Sequence, residues 1–146
     1  MSLTGPGTFY EDYVVGDRFR HSRGKTVYPF DGAGLALMVM NTSDGHFNDH
    51  VMRDTDVGEA VVFGGLTLAI VVGLAMQDTG ENALEELGAD DVRFSAPVVH
   101  GDTLYASSQV VAKDGGVVTF DHWGFNQRDQ IVVSLRRRVR IASADG

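Results

Sequence analysis

No cysteine occurs in this chain. That excludes a disulfide framework, a thiolate metal site and a cysteine nucleophile together. Positive charge is also scarce. Twelve Lys and Arg stand against twenty Asp and Glu, for a net charge of -8. Binding along a nucleic acid is therefore excluded, because phosphate neutralisation needs a broad basic face. Long apolar runs are missing too. The longest, Leu66 to Met76, is interrupted only by Thr67 and is too short to cross a bilayer, so no membrane partner is expected. Residues 1–7 lack the basic start and long apolar core of a secretion signal and read as a flexible leader or cloning remnant. Together these absences point to a cytoplasmic protein.

Several catalytic signatures are missing as well. Gly24-Lys25-Thr26 resembles the end of a phosphate loop, but Phe19 stands where its first glycine is needed. Gly32-Ala33-Gly34 lacks the third glycine and the preceding strand of a dinucleotide site. No Gly-x-Ser-x-Gly elbow is present, which argues against a serine hydrolase.

What remains is ordinary globular composition, 43% hydrophobic and 22% charged over 146 residues. One domain is expected over residues 8–142, with a flexible tail at 143–146. Asp31 to Met40 reads as a helix with Asp31 as its N-cap, and Asn41 to Asp56 reads as a polar, irregular stretch. Gly64-Gly65 opens the apolar run 66–76, which predicts a helix buried all round and stopped at Gly80. Four strand-like segments follow, at 92–99, 103–112, 117–126 and 131–141, separated by Gly- and Asp-rich turns. An apolar helix followed by an antiparallel meander predicts an α+β chain with the sheet wrapped around the helix, the hotdog arrangement. Such a sheet leaves an open edge, so a homodimer or higher homo-oligomer is expected to complete it.

Two basic clusters stand out in this acidic chain: Arg18, Arg20, Arg23 and Lys25, and then Arg136, Arg137, Arg138 and Arg140. Local cations suit a small anionic ligand, or else two solvated strands. His46 and His50 are four apart, with Asp44, Asp49 and Asp54 nearby. A metal site is not expected there, because the Glu of a His-Glu-x-x-His helix is missing and Gly45 disfavours the helix. Asn41 precedes His46 by five residues. An imidazole moves protons near neutral pH, an amide orients water, and the free N–H groups of a helix start hold a developing oxyanion. Read blandly, a loop histidine is a packing residue and Gly64-Gly65 merely lets helix and sheet approach.

At these residues the chain resembles the MaoC-like hydratases and dehydratases, hotdog proteins acting on acyl-CoA thioesters. The resemblance is carried in order by Phe9-Tyr10-Glu11-Asp12-Tyr13-Val14-Val15-Gly16-Asp17, by Met40-Asn41-Thr42-Ser43-Asp44-Gly45-His46-Phe47, by Phe63-Gly64-Gly65-Leu66-Thr67-Leu68-Ala69, by Val92-Arg93-Phe94-Ser95-Ala96-Pro97-Val98, and by Gly101-Asp102-Thr103-Leu104. Within the family, 40–42 and 66–72 look most like the itaconyl-CoA and mesaconyl-CoA hydratase branch, which handles short branched acyl groups bearing a second carboxylate. The resemblance implies a lyase adding water across an enoyl-CoA double bond, with no metal or organic cofactor, coenzyme A being part of the substrate. It implies His46 and Asn41 as catalytic residues and Gly64 as oxyanion donor with Gly65 beside it. Phe63, Leu66 and Arg93 are expected to bind substrate. The family's (R)-specific hydratases carry Asp where this chain has Asn41, and an amide cannot accept a proton as a carboxylate does. Asp44 with His50 is the alternative acid/base pair. The alternative functions are an acyl-CoA thioesterase, disfavoured by the lack of an acid within 66–76, and a non-catalytic acyl-CoA-binding protein.

Overall fold

Strands that alternate buried and half-buried residues form the middle of the sheet. The computed structural model describes residues 7–146, so the leader expectation for residues 1–6 falls outside the described residues. In chain order the elements are β1 (Arg18–Arg20), β2 (Lys25–Thr26), α1 (Pro29–Met38), α2 (Asp49–Met52), α3 (Gly64–Thr79), β3 (Ala83–Phe94), β4 (Thr103–Asp114), β5 (Val117–Phe125) and β6 (Ile131–Ile141). The sheet runs β1-β4-β5-β6-β3, with β2 also on β4, and every pairing is antiparallel. Leu104, Ala106 and Val110 of β4 and Val118 and Phe120 of β5 point inward and are fully buried, as period-two alternation requires. The β4–β5 hairpin turns through Gly115 and Gly116, both at positive φ (53° and 83°), a conformation that glycine enters without steric cost.

Helix α3 lies on the inner face of this sheet, the expected hotdog arrangement. Leu66 and Val71 pack with Val98, Leu104, Val132 and Val133. The approach is close: a Cβ on Gly124 of β5 would sit 2.2 Å from Cγ2 of Val71. Gly80 ends the helix, its N–H donating to Met76 O at 2.8 Å. The helix is not buried all round, however. Leu66, Thr67, Val71, Ala75, Asp78 and Thr79 are buried, whereas Gly65, Ala69 and Gly73, one turn apart on the opposite side, are exposed. The described residues leave that side uncovered.

Other boundaries also moved. The first long helix starts at Pro29, with Tyr28 as N-cap; Asp31 sits at the third helical position and accepts from the Tyr28 N–H (3.0 Å) and from Lys25 Nζ (2.8 Å). The strand expected at 92–99 runs instead from Ala83 to Phe94. The tail at 143–146 is held, because Glu11 accepts from Ser143 Oγ (2.6 Å) and from the Ala144 N–H (3.0 Å). The second basic cluster is no free patch. Arg136 pairs with Asp121, Arg138 with Asp90 and Arg140 with Glu85, while Arg137 points inward to Glu86 and Thr79. Alternation along β6 separates Arg137 from its neighbours, and carboxylates of β3 and β5 neutralise the row.

A buried polar chain crosses the core below the end of α3. His21 Nδ1–H donates to Asp78 Oδ2 (2.6 Å), and with burial keeping the ring neutral its Nε2 accepts from Ser108 Oγ–H (2.7 Å). Ser108 Oγ in turn accepts from His122 Nδ1–H (2.6 Å), and His122 Nε2 ends the series with no partner among the described residues. This direction of donation requires the His21 ring to be neutral. Burial lowers the pKa of His21, with Asp78 opposing, and pushes that of His122 down to about 3.

Candidate active site

The site is assembled where the polar stretch meets the start of α3. Helix α1 closes with Met40 at φ 63°; Met40 N–H donates to Leu37 O (3.1 Å) and Asn41 N–H to Ala36 O (2.8 Å). This is the paired-bond helix stop usually built on glycine. It turns the chain outward at Asn41. The next residues form a single 3-10 turn, Asp44–His46, followed by the short α2, which is capped by Asn48 Oδ1 accepting from the Val51 N–H.

His46 is fixed from one side. Its Nδ1 lies 2.7 Å from Val61 O. A carbonyl only accepts, so Nδ1 carries the proton and Nε2 presents a lone pair. Val61 is itself held, its N–H donating to Gly45 O (2.8 Å), while Asp49 Oδ1 accepts from the Ala60 N–H (2.8 Å). Phe63 packs edge-on against the imidazole, with centroids 5.9 Å apart.

Helix α3 supplies the second half. Its N-cap, Phe63, has no side chain able to bond the first-turn amides, and the first turn holds no acidic residue. The Leu66 and Thr67 N–H groups both turn back to Phe63 O (3.0 and 3.3 Å). Among the described residues, the Gly64 and Gly65 amides have no acceptor, and they carry the positive end of the helix dipole.

These two halves open into one cleft of about 500 Å³, lined by His46, Gly64, Thr67, Phe94, Ser95 and neighbouring apolar residues of 61–62 and 96–98. His46 is only half-buried and borders the same space as the first glycine of the helix. A Cβ on Gly64 would lie 2.7 Å from the Phe94 ring, so glycine gives both the exposed amide and the room beside it.

The remaining expected site residues are placed as follows. Asn41 is partly buried but does not line the cleft; its Oδ1 faces only the Ser43 N–H, at 3.5 Å. Gly65 is exposed beside Phe63. Leu66 turns to a different cavity of about 290 Å³, between α1 and α3, with Phe30, Leu35, Met38 and Ile70. Arg93 pairs with Asp91 beside Asp121 and Arg136, away from the cleft. Asp44 and His50 are both exposed, and neither lines the cleft. Among the described residues, no three His, Asp or Glu side chains converge as a metal cluster, and no helix is long and apolar enough to cross a membrane. Thr67 and Ser95, which line the cleft, were not singled out from the sequence. The signal available for Thr67 was its place as the lone polar residue within the apolar run.

A family model described as mesaconyl-CoA hydratase matches residues 9–143. The chain belongs to that family. A curated relative, the mesaconyl-CoA hydratase of Haloarcula hispanica, is 36% identical over 130 residues, covering 84% of this chain and 36% of the relative. The chain thus spans well under half the length of the curated relatives it matches. Among solved structures, a MaoC-like dehydratase from Rhodospirillum rubrum superposes with a TM-score of 0.82 at 24% identity, covering 94% of this chain and 98% of the other. The (R)-hydratase PhaJ1 of Pseudomonas aeruginosa gives a TM-score of 0.80 at 20% identity, over 94% and 87% of the two chains. These two likenesses establish the hotdog fold.

Proposed function

We propose that the chain is an enoyl-CoA hydratase/dehydratase that adds water reversibly across the α,β double bond of a short acyl-CoA. The observation that carries this reading is the shared cleft: a histidine with a free Nε2 and a helix-start amide without an acceptor border the same space. The thioester oxygen takes the Gly64 N–H, with Gly65 beside it and the helix dipole behind, so the charge of the enolate has a preorganised partner. Water then attacks the β-carbon. One of its protons passes to His46 Nε2 and is returned to the α-carbon, which regenerates the neutral ring. The Val61 carbonyl keeps the ring in the tautomer that this cycle needs and stabilises the transient imidazolium. No metal or organic cofactor is called on in these steps.

The substrate we favour is a short branched acyl-CoA with a second carboxylate, such as mesaconyl- or itaconyl-CoA. The matched family and the name of the Haloarcula relative support this choice. A thioesterase is less well supported, since no carboxylate side chain lines the cleft. The working unit is proposed to be a homodimer.

The test follows the enoyl absorbance of crotonyl-, mesaconyl- and itaconyl-CoA. At least one is expected to be hydrated, and His46→Ala is expected to lose about a hundredfold or more in kcat, the usual scale for a positioned proton-transfer group. Wild-type rates in His46→Ala, or free thiol released in place of hydration, would overturn the reading.

A further inference from the structure

Within that hydratase reading, water at the cleft still lacks a second polar contact. In the resemblance the partner of His46 is the residue five positions earlier, here Asn41, and Asn41 does not line the cleft. We propose that the hydroxyl of Thr67 is the substrate-side partner of His46, holding the second hydrogen of the water that adds to the β-carbon.

Three observations carry this. Thr67 is 97% buried, at 3% exposure, yet it lines the cleft. Its hydroxyl bonds to no protein group among the described residues, unlike Thr79 in the last turn of the same helix, whose Oγ1 donates back to Ala75 O at 2.8 Å. Nor is it among the fully enclosed unpartnered atoms, which are His100 Nε2 and His122 Nε2. A buried threonine whose hydroxyl neither bonds to the helix nor is sealed in must direct that hydroxyl into the space the residue lines. Isolating a hydroxyl in this way is costly unless something polar meets it there.

Its position suits the role. Thr67 is three residues after Gly64, so it lies on the same helix face about one turn, roughly 5 Å, further along. A thioester oxygen on the Gly64 amide places the β-carbon, two bonds beyond the carbonyl carbon, beside that second turn. The water approaching it has His46 Nε2 for one proton and Thr67 Oγ as acceptor for the other, while its lone pair forms the new C–O bond. In the dehydration direction the same hydroxyl receives the departing water. The sequence hides this residue because one threonine among apolar neighbours reads as helix packing.

The experiment compares Thr67→Val, of equal shape without the hydroxyl, with Thr67→Ser, which keeps it. Thr67→Val is expected to keep the wild-type melting temperature and lose about thirtyfold in kcat on any enoyl-CoA that the wild type hydrates, the scale of one hydrogen bond in a transition state. KM is expected to change little, and Thr67→Ser to stay within a few-fold of wild type. Wild-type kcat in Thr67→Val, or an equal loss in Thr67→Ser, overturns the proposal while leaving the hydratase reading intact. Should the wild type hydrate none of the three thioesters, that reading fails separately. The hydroxyl is then judged by calorimetry with 3-hydroxybutyryl-CoA, where an unchanged affinity in Thr67→Val overturns the contact and a loss of about fivefold or more sustains it.

Discussion

The sequence marks His46 and Gly64 by type and local context, an imidazole in a polar loop and a glycine opening an apolar helix, and the fold brings both to one cleft. Orientation was not legible. Leu66 lies two residues from Gly64 and turns to a different cavity, since residues two apart on a helix do not share a face. Arg93 precedes Phe94 on a strand, so when Phe94 faces the cleft Arg93 faces away, toward Asp91. The same geometry makes Gly64 a sharp test of the site. A methyl group there would crowd the Phe94 ring, the half-exposed end of a side chain that can swing, so the fold has an escape and the cleft does not. Gly64→Ala is expected to keep its melting temperature within a few degrees while kcat/KM for an accepted enoyl-CoA falls about tenfold or more. Circular dichroism melting alongside steady-state kinetics reads both.

Among the elements, β3 was the least legible. Ala83 to Asp91 is rich in Glu, Asp and Ala, residues depleted from strands, and the strand expectation starts only at 92. The compensation is non-local: Glu85, Glu86 and Asp90 meet the arginines of β6, and cross-strand charge pairs of this kind offset poor propensity. The arginine row stands out in the sequence without its partners, and the structure shows it to be one side of a charge ladder with β3. The ladder also explains why β3 forms although it is the edge of the sheet and is exposed almost throughout. An edge that shows Leu84, Leu87, Val92 and Phe94 to solvent, next to the uncovered Gly65, Ala69 and Gly73 of α3, invites a second copy. Light scattering at micromolar concentration is expected to give a dimer mass, and the paired change Leu84→Lys with Leu87→Lys to lower it. A monomer mass for the unaltered chain rules out this pairing.

For the whole molecule, the wrapping of sheet around helix was readable from one apolar run and four strand-like segments. The buried polar chain was not, because His21, Asp78, Ser108 and His122 are scattered through the sequence and meet only in the fold. This chain sets the acid side of stability. Both imidazoles are held neutral, with folded pKa values below the ordinary histidine value of about 6.5. The unfolded chain therefore takes up protons that the native state refuses once the pH drops below that value. Native stability is expected to hold between pH 8 and 7 and to decline from pH 6.5 to 5. His122→Gln, which cannot titrate, is expected to flatten that decline in urea midpoints measured across the range. A midpoint that rises toward pH 5 would contradict the assignment.

The contact at Gly124 bears on how the site keeps its dimensions. With only a hydrogen atom between the sheet and Val71, α3 seats flush on β5, and any larger residue at this point would push the two apart. The start of α3, one wall of the cleft, is thus carried on a contact deep in the core, remote from solvent.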